Sequence, residues 1–179
     1  MAHVFIVDDD PGIREVLRSA LEAEGHVVTE AADGVSALVG LRSSPCPLVV
    51  SLDLRMPRLD GAGVLEAVAR EQALAQRHRF VLITANPFPL LPALGALLVS
   101  LEVPVLSKPF DVDTLLGMVA LLADEVQQAP ANPGRARGAA ATACAHPGGH
   151  VVGTGAAGAA VPRRSLPGPG SREARPKAS

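Results

Sequence analysis

The chain has little cysteine: two in 179 residues, Cys46 and Cys144. They provide neither a disulfide framework nor the close spacing of a metal site. A long apolar run is also missing. The longest mostly apolar stretch, "PLLPALGALLVSL", is too short to span a bilayer and carries two prolines, so no membrane insertion is expected. No basic segment followed by an apolar stretch opens the chain, which excludes a secretory signal and leaves a soluble, cytoplasmic reading. From Gln127 to Ser179 there is no Phe, Tyr, Trp, Ile or Met. Such a segment cannot bury enough surface to offset its ordering entropy, and residues 127–179 are expected to be a disordered Ala/Gly/Pro/Arg-rich tail.

Charge divides the chain at the same place. Through Val126 there are 9 Lys/Arg against 17 Asp/Glu, and from Gln127 onward 7 against 1, so a net of −8 precedes a net of +6. The arginines of the tail could touch an acidic partner, nucleic acid or the domain itself, but plain linker behaviour is the simpler reading. His146 and His150 flank "PGG" in the same segment and read as part of it.

Within residues 1–126, apolar runs ("HVFIV", "HVVTEA", "PLVVSLDL", "RFVLITA", "VPVLS") alternate with helical patterns. Ile13, Val16, Leu17, Ala20 and Leu21 keep the spacing of one helix face, with Asp10 as N-cap and Pro11 at the first helical position. Val35, Leu38, Val39 and Leu41 form a second stripe. Val64, Leu65 and Val68 form a third, opened by the turn Asp60–Gly61. Leu90, Leu91, Leu94, Leu97 and Leu98 form a fourth that reads as core on one face. Val112, Leu115, Leu116, Val119 and Leu122 form the last, with Asp111 as its cap. Five strand–helix repeats predict an α/β domain with helices on both faces of a parallel sheet. The continuous apolar strands suit burial on both sides. The expected architecture is a flavodoxin-like, doubly wound five-stranded sheet of order 2-1-3-4-5, binding ligands beyond the carboxyl ends of strands 1 and 3.

On that frame the polar residues gather at one edge. Asp8 and Asp9 end strand 1, Asp53 ends strand 3, Thr84 ends strand 4, and Lys108 follows strand 5. Alone, Asp8–Asp10 reads as a solvated turn, because charge runs usually mean solvent. In register with Asp53, Thr84 and Lys108 it reads as a site. A hard-oxygen cluster of Asp8, Asp9 and Asp53 suits Mg²⁺, and the metal with the Lys108 ammonium offsets the negative charge. Asp53 could then act as a carboxylate nucleophile toward a phosphoryl group.

"VDDD" at 7–10, "LDLRMPRLDG" at 52–61, "LITA" at 82–85 and "SKPF" at 107–110 resemble the receiver domain of two-component response regulators, in order and spacing, over residues 3 to about 125. The resemblance implies that Asp53 is the phosphoacceptor of a histidine kinase or phosphotransfer protein. It implies Asp9, Asp53 and the Arg55 backbone carbonyl as Mg²⁺ ligands, with Asp8 acting through water. Lys108, beside a cis bond to Pro109, would contact the phosphoryl group or Asp53, and Thr84 a phosphoryl oxygen. Arg55 and Asn86 would tune the lifetime of the phosphoryl group. One departure stands out: Val105 occupies the place of the ring that usually turns inward on activation.

The expected function is a stand-alone phosphorelay receiver that signals through altered binding to an unknown downstream protein. It is not an enzyme beyond its own phosphorylation and dephosphorylation. A weak dimer through the face of the fourth helix, fifth strand and last helix accompanies this reading. The tail is too poor in apolar residues to fold a DNA-binding module, so direct DNA binding is not expected. The alternative is a degenerate receiver acting as an interaction module without phosphate. A haloacid-dehalogenase-type phosphatase also uses a strand-end Asp, but it needs a second Asp two residues later, where Arg55 stands.

Overall fold

A computed structural model describes residues 1–85 and 92–128. Asn86, Leu90, Leu91 and the tail from Ala129 lie outside the described residues, and with them the readings placed on Cys144, His146, His150 and the tail's arginines. The elements run β1 (His3–Val7), α1 (Pro11–Ala23), β2 (Val27–Ala31), α2 (Gly34–Ser43), β3 (Val49–Asp53), α3 (Gly61–Arg70), α4 (Gln72–Arg77), β4 (Arg79–Thr84), α5 (Pro92–Ser100), β5 (Val105–Ser107) and α6 (Val112–Gln128). All strand pairs are parallel, in the order β2-β1-β3-β4-β5. This is the order expected from the sequence.

The pleat sorts the strand residues into two cores. Phe5 and Val7 of β1, Val50 and Leu52 of β3, and Phe80 and Leu82 of β4 face a layer built from α2, α3, α4 and α5. Val4, Ile6, Val49, Val81 and Ile83 face α1 and α6, through Leu17, Leu21, Leu115, Val119 and Leu122. Every residue of β3 is buried, Ser51 and Asp53 included, as suits a strand covered on both faces. Leu52 and Leu65 are fully buried, each contributing roughly 1.5–3 kcal/mol of transfer free energy.

Helix ends follow their residue chemistry. Asp10 caps α1, its side chain accepting from the Gly12 and Ile13 N–H groups at 2.8 and 3.3 Å. Gly25, at φ +78°, closes the same helix with a left-handed residue. Asp60 caps α3 through the Gly63 N–H. At α6 the Thr114 N–H donates to the Asp111 carbonyl rather than to its side chain.

Two helical readings need correction. In α1 and α2 the apolar stripes include Val16, Val35 and Val39, yet these are 57%, 48% and 61% exposed. Instead α2 buries Gly34, Ala37, Leu38 and Leu41. The reason is close approach: a Cβ on Gly40 would lie 2.7 Å from the Phe5 ring, so small residues face the sheet and the valines turn outward. Helix α4 was not anticipated, its six residues burying Leu74 alone. Among the described residues no helix is long and apolar enough to cross a membrane.

Candidate functional site

The carboxyl ends of β1, β3 and β5 bring three charged groups together. Asp8 directly follows β1, Asp53 is the last residue of β3, and Lys108 directly follows β5. The Lys108 ammonium stands between the two carboxylates, donating to Asp8 Oδ2 at 2.9 Å and to Asp53 Oδ1 at 2.6 Å. Asp8 and Asp53 are 3% and 6% exposed, so this is a largely desolvated triad with two negative charges and one positive.

The second oxygen of each carboxylate is held by backbone. Asp8 Oδ1 accepts from the Asp10 N–H at 2.9 Å, and Asp53 Oδ2 accepts from the Arg55 N–H at 2.6 Å. Each oxygen thus has one donor and keeps a lone pair. Burial pushes the Asp53 carboxyl above its ordinary range; the Lys108 hydrogen bond and charge pull the other way, while the Asp8 charge adds to the rise. Burial would lower the Lys108 ammonium, but its hydrogen bonds to Asp53 and Asp8 hold it above its usual value. One cation serving two acids is the answer to the charge crowding at the start of the chain.

These groups line a cleft of about 280 Å³ together with Asp9, Asp10, Ile13, Arg55 and Ala85. Asp9 is exposed at its edge. Thr84 lies at the end of β4, 1% exposed, and its carbonyl accepts the Lys108 N–H at 2.8 Å. The neighbouring Ala85, rather than Thr84, lines the opening. The Lys108–Pro109 peptide is cis. The structure therefore gathers Asp8, Asp9, Asp53, Arg55 and Lys108 around one cleft, with Thr84 buried at the end of the adjacent strand. Another concavity, of about 210 Å³, lies among Met1, Ala2, Cys46, Pro47, Ala123 and Val126, where no charged side chains converge.

The donor set of Asp8, Asp9, Asp53 and the Arg55 carbonyl is entirely oxygen, which fits a small, hard divalent cation. Among the described residues no three acidic, imidazole or thiol side chains already converge as a metal cluster. A cation would share Asp8 and Asp53 with the Lys108 ammonium and draw Asp9 in from the edge. The fit is one of chemistry and placement.

Two features escaped the sequence reading. Arg14, one turn into α1, donates to the Asp8 carbonyl at 2.7 Å and pairs with Glu30 of β2 at 3.1 Å, fixing the backbone from which Asp8 projects. Arg58 pairs with the buried Asp33, joining the β3–α3 loop to the N-terminus of α2. The arginine-to-acid spacings, 16 and 25 residues, follow no local pattern.

Residues 4–120 match the family model described as "Response regulator receiver domain". Among curated proteins, the chain is 29% identical over 136 residues to the DNA-binding dual master transcriptional regulator RpaA of Synechocystis, over 73% of this chain and 52% of that one. The chain thus spans about half the length of that regulator. Among solved structures, a CheY-like receiver domain protein from Methanospirillum hungatei is 28% identical with a TM-score of 0.60, over 70% of this chain and 96% of that one. The response regulator TrrA of Thermotoga maritima, solved in complex with Mg²⁺ and BeF, is 27% identical with a TM-score of 0.57, over 68% and 99% of the two chains.

Proposed function

Because this chain belongs to the response regulator receiver family of two-component systems, we propose that it is the phosphoacceptor of a phosphorelay, taking a phosphoryl group on Asp53. The donor is the phosphohistidine of a histidine kinase or a phosphotransfer protein, and the output is altered binding to another protein. The observation that carries the reading is the Lys108 ammonium bridging Asp8 and Asp53 in a cleft at the carboxyl edge of the sheet.

The chemistry follows from that bridge. An Asp53 carboxylate oxygen attacks phosphorus, a new P–O bond forms, and the P–N bond to the donor imidazole breaks. Burial makes the carboxylate costly to keep ionised, and the ammonium offsets that cost before the donor arrives. As charge spreads over the phosphoryl oxygens, Lys108 is already in place to stabilise it. Asp8, Asp9, Asp53 and the Arg55 carbonyl would hold Mg²⁺, which would supply further positive charge to the cleft. Magnesium binding is typical of the family, and the oxygen donor set supports it in this chain. On activation the Thr84 side chain, buried at the end of β4, would shift to hydrogen-bond a phosphoryl oxygen and so link the site to the adjacent β5.

Phosphorylation and its reversal are self-modification in a cytoplasmic protein rather than turnover of a separate substrate. The receiver takes in the expected residues 1–126 and the two further residues of α6, to Gln128, and the basic segment that follows serves as a linker. The switch shifts an existing equilibrium between conformations without a rotating ring, since Val105 offers none. Val105 opens β5, 37% exposed and three residues before Lys108. It is also the observation favouring the second reading, an interaction module that never carries phosphate.

The test is the intact mass of the chain after incubation with Mg²⁺ and a small-molecule phosphodonor. A gain of one phosphoryl group, lost in Asp53→Asn and without Mg²⁺, is expected. Absence of both that gain and Mg²⁺-dependent beryllofluoride binding would leave the interaction module.

A further inference from the structure

We propose that the Arg58–Asp33 ion pair is a positioning latch: it holds the β3–α3 loop, residues 54–60, in the shape that presents Arg55 to Asp53. The proposal rests on the reading of Asp53 as phosphoacceptor and adds two residues that touch neither the phosphoryl group nor the metal.

The loop is anchored strongly at its inner end. The Leu54 N–H donates to the Ile83 carbonyl at 2.8 Å, and the Gly61 N–H returns to the Leu54 carbonyl at 2.9 Å. Its outer end packs Met56 and Leu59 against the core, and its polar anchors among the described residues are contacts with the β2–α2 corner and one internal turn. The Gly34 N–H donates to the Leu59 carbonyl at 3.1 Å, the Leu59 N–H turns back to Pro57 at 2.8 Å, and Arg58 reaches Asp33.

Arg58 is also strained. Its φ of +67° is a left-handed conformation, which is unfavourable for a non-glycine residue and persists only where contacts over-determine it. Asp33 supplies the holding contact. It is 1% exposed and caps α2 from the Val35 and Ser36 N–H groups at 2.9 and 3.0 Å, while its other oxygen takes the Ser36 hydroxyl and Arg58. Burial would raise this carboxyl, yet the Ser36 hydrogen bonds and the Arg58 charge hold it below its ordinary range. A fully buried, rigidly held acid is a fixed point. A guanidinium docked on it transfers that fixity to a loop whose other role is to aim the Arg55 N–H at Asp53 Oδ2. An exposed pair between two mobile side chains would do little, but here one partner is immobile.

The experiment compares wild type with Arg58→Ala, Arg58→Lys and Arg58→Gly by amide hydrogen exchange and by Mg²⁺ titration followed by NMR. In Arg58→Ala the Gly34, Arg55 and Leu59 amides exchange about tenfold faster while β1 and β4 amides do not, and Mg²⁺ affinity falls about three- to tenfold. Arg58→Lys restores part of both. Arg58→Gly relieves the backbone strain but not the missing pair, so it tracks Arg58→Ala in Mg²⁺ affinity. The half-saturating Mg²⁺ for phosphorylation rises while the rate at saturating Mg²⁺ changes little. Unchanged loop exchange and unchanged Mg²⁺ affinity in Arg58→Ala would overturn the latch, as would full recovery in Arg58→Gly. If the wild type bound no Mg²⁺ at all, the phosphoacceptor reading would fail, and the exchange data would still decide the latch.

Discussion

His78 makes the stability of this domain depend on pH in a way that can be calculated. The ring is 1% exposed between β3 and α2. Its Nε2 lies 3.2 Å from the Leu41 carbonyl and its Nδ1 accepts the Leu48 N–H at 3.1 Å. That pair of bonds needs the neutral ring with its proton on Nε2, because a proton on Nδ1 would face the Leu48 N–H. Burial, with the Arg77 charge adding and the Leu41 hydrogen bond opposing, lowers its pKa from 6.5 to about 4. The folded pKa is depressed, so below pH 6.5 the unfolded chain binds a proton that the folded chain refuses. Stability is full above that pH and is lost as pH falls toward about 4. The limiting loss is about 3.4 kcal/mol, and between about pH 7.5 and 5 it is about 2 kcal/mol. Against a domain stability of about 5–15 kcal/mol, that is a large fraction. Urea unfolding followed by far-UV circular dichroism at the two pH values measures it. In His78→Gln, which can keep both hydrogen bonds but does not titrate, the pH loss is expected to be smaller by that amount. Equal losses in the two proteins would refute the argument, as would an NMR titration placing the folded-state midpoint near 6.5.

Asp53 gives the opposite sign. Its raised pKa means that the ionised carboxylate costs folding stability at neutral pH, so Asp53→Asn without Mg²⁺ is expected to unfold at higher urea than wild type, with the advantage shrinking as pH falls through the Asp53 pKa. A less stable Asp53→Asn at neutral pH would contradict this. At Gly61 an added Cβ would sit 2.5 Å from the Asp53 carbonyl oxygen and 3.0 Å from Leu54 Cα. Gly61→Ala is expected to cost about 1–3 kcal/mol in urea unfolding and to slow phosphorylation by displacing the end of β3. A fully stable Gly61→Ala with wild-type phosphorylation would show that the strand end can move freely.

The sheet and its reactive edge were legible because both rest on local pattern. A buried parallel strand is a continuous apolar run, and an acid or lysine directly after such a run lies at the carboxyl edge wherever the strand is placed. Asp8, Asp53 and Lys108 are each marked in this way, and Lys108 is the only lysine before residue 177. What was not legible depends on partners distant in sequence. Nothing local marks His78, because the groups that hold it are the Leu41 carbonyl and Leu48 N–H, 37 and 30 residues earlier. Nothing local marks Arg58, and only the folded chain brings Asp33 beneath it. The facing of α2 was misread because hydrophobicity favoured Val35 and Val39, while the space over Phe5 admitted only Gly40. Helix α4 shares Glu71 with the end of α3 and leaves too short a stretch for a period to register.

Helix α6 begins four residues beyond Lys108 and runs for 17 residues, about 25 Å, to Gln128. Its last turns, at Ala123 and Val126, form the wall of the concavity around Met1 and Cys46. Leu115, Val119 and Leu122 seat it against the sheet along its length. The helix is therefore a rod seated on the core, starting four residues after the lysine of the charged cleft and ending at the base. Gln128 thus stands about 25 Å of helix away from the start of α6, beside the concavity at the opposite edge of the sheet from the charged cleft. Were phosphorylation of Asp53 to tilt α6 at its lysine end, the stiffness of the rod would deliver that tilt to Gln128 as a displacement at the base of the sheet.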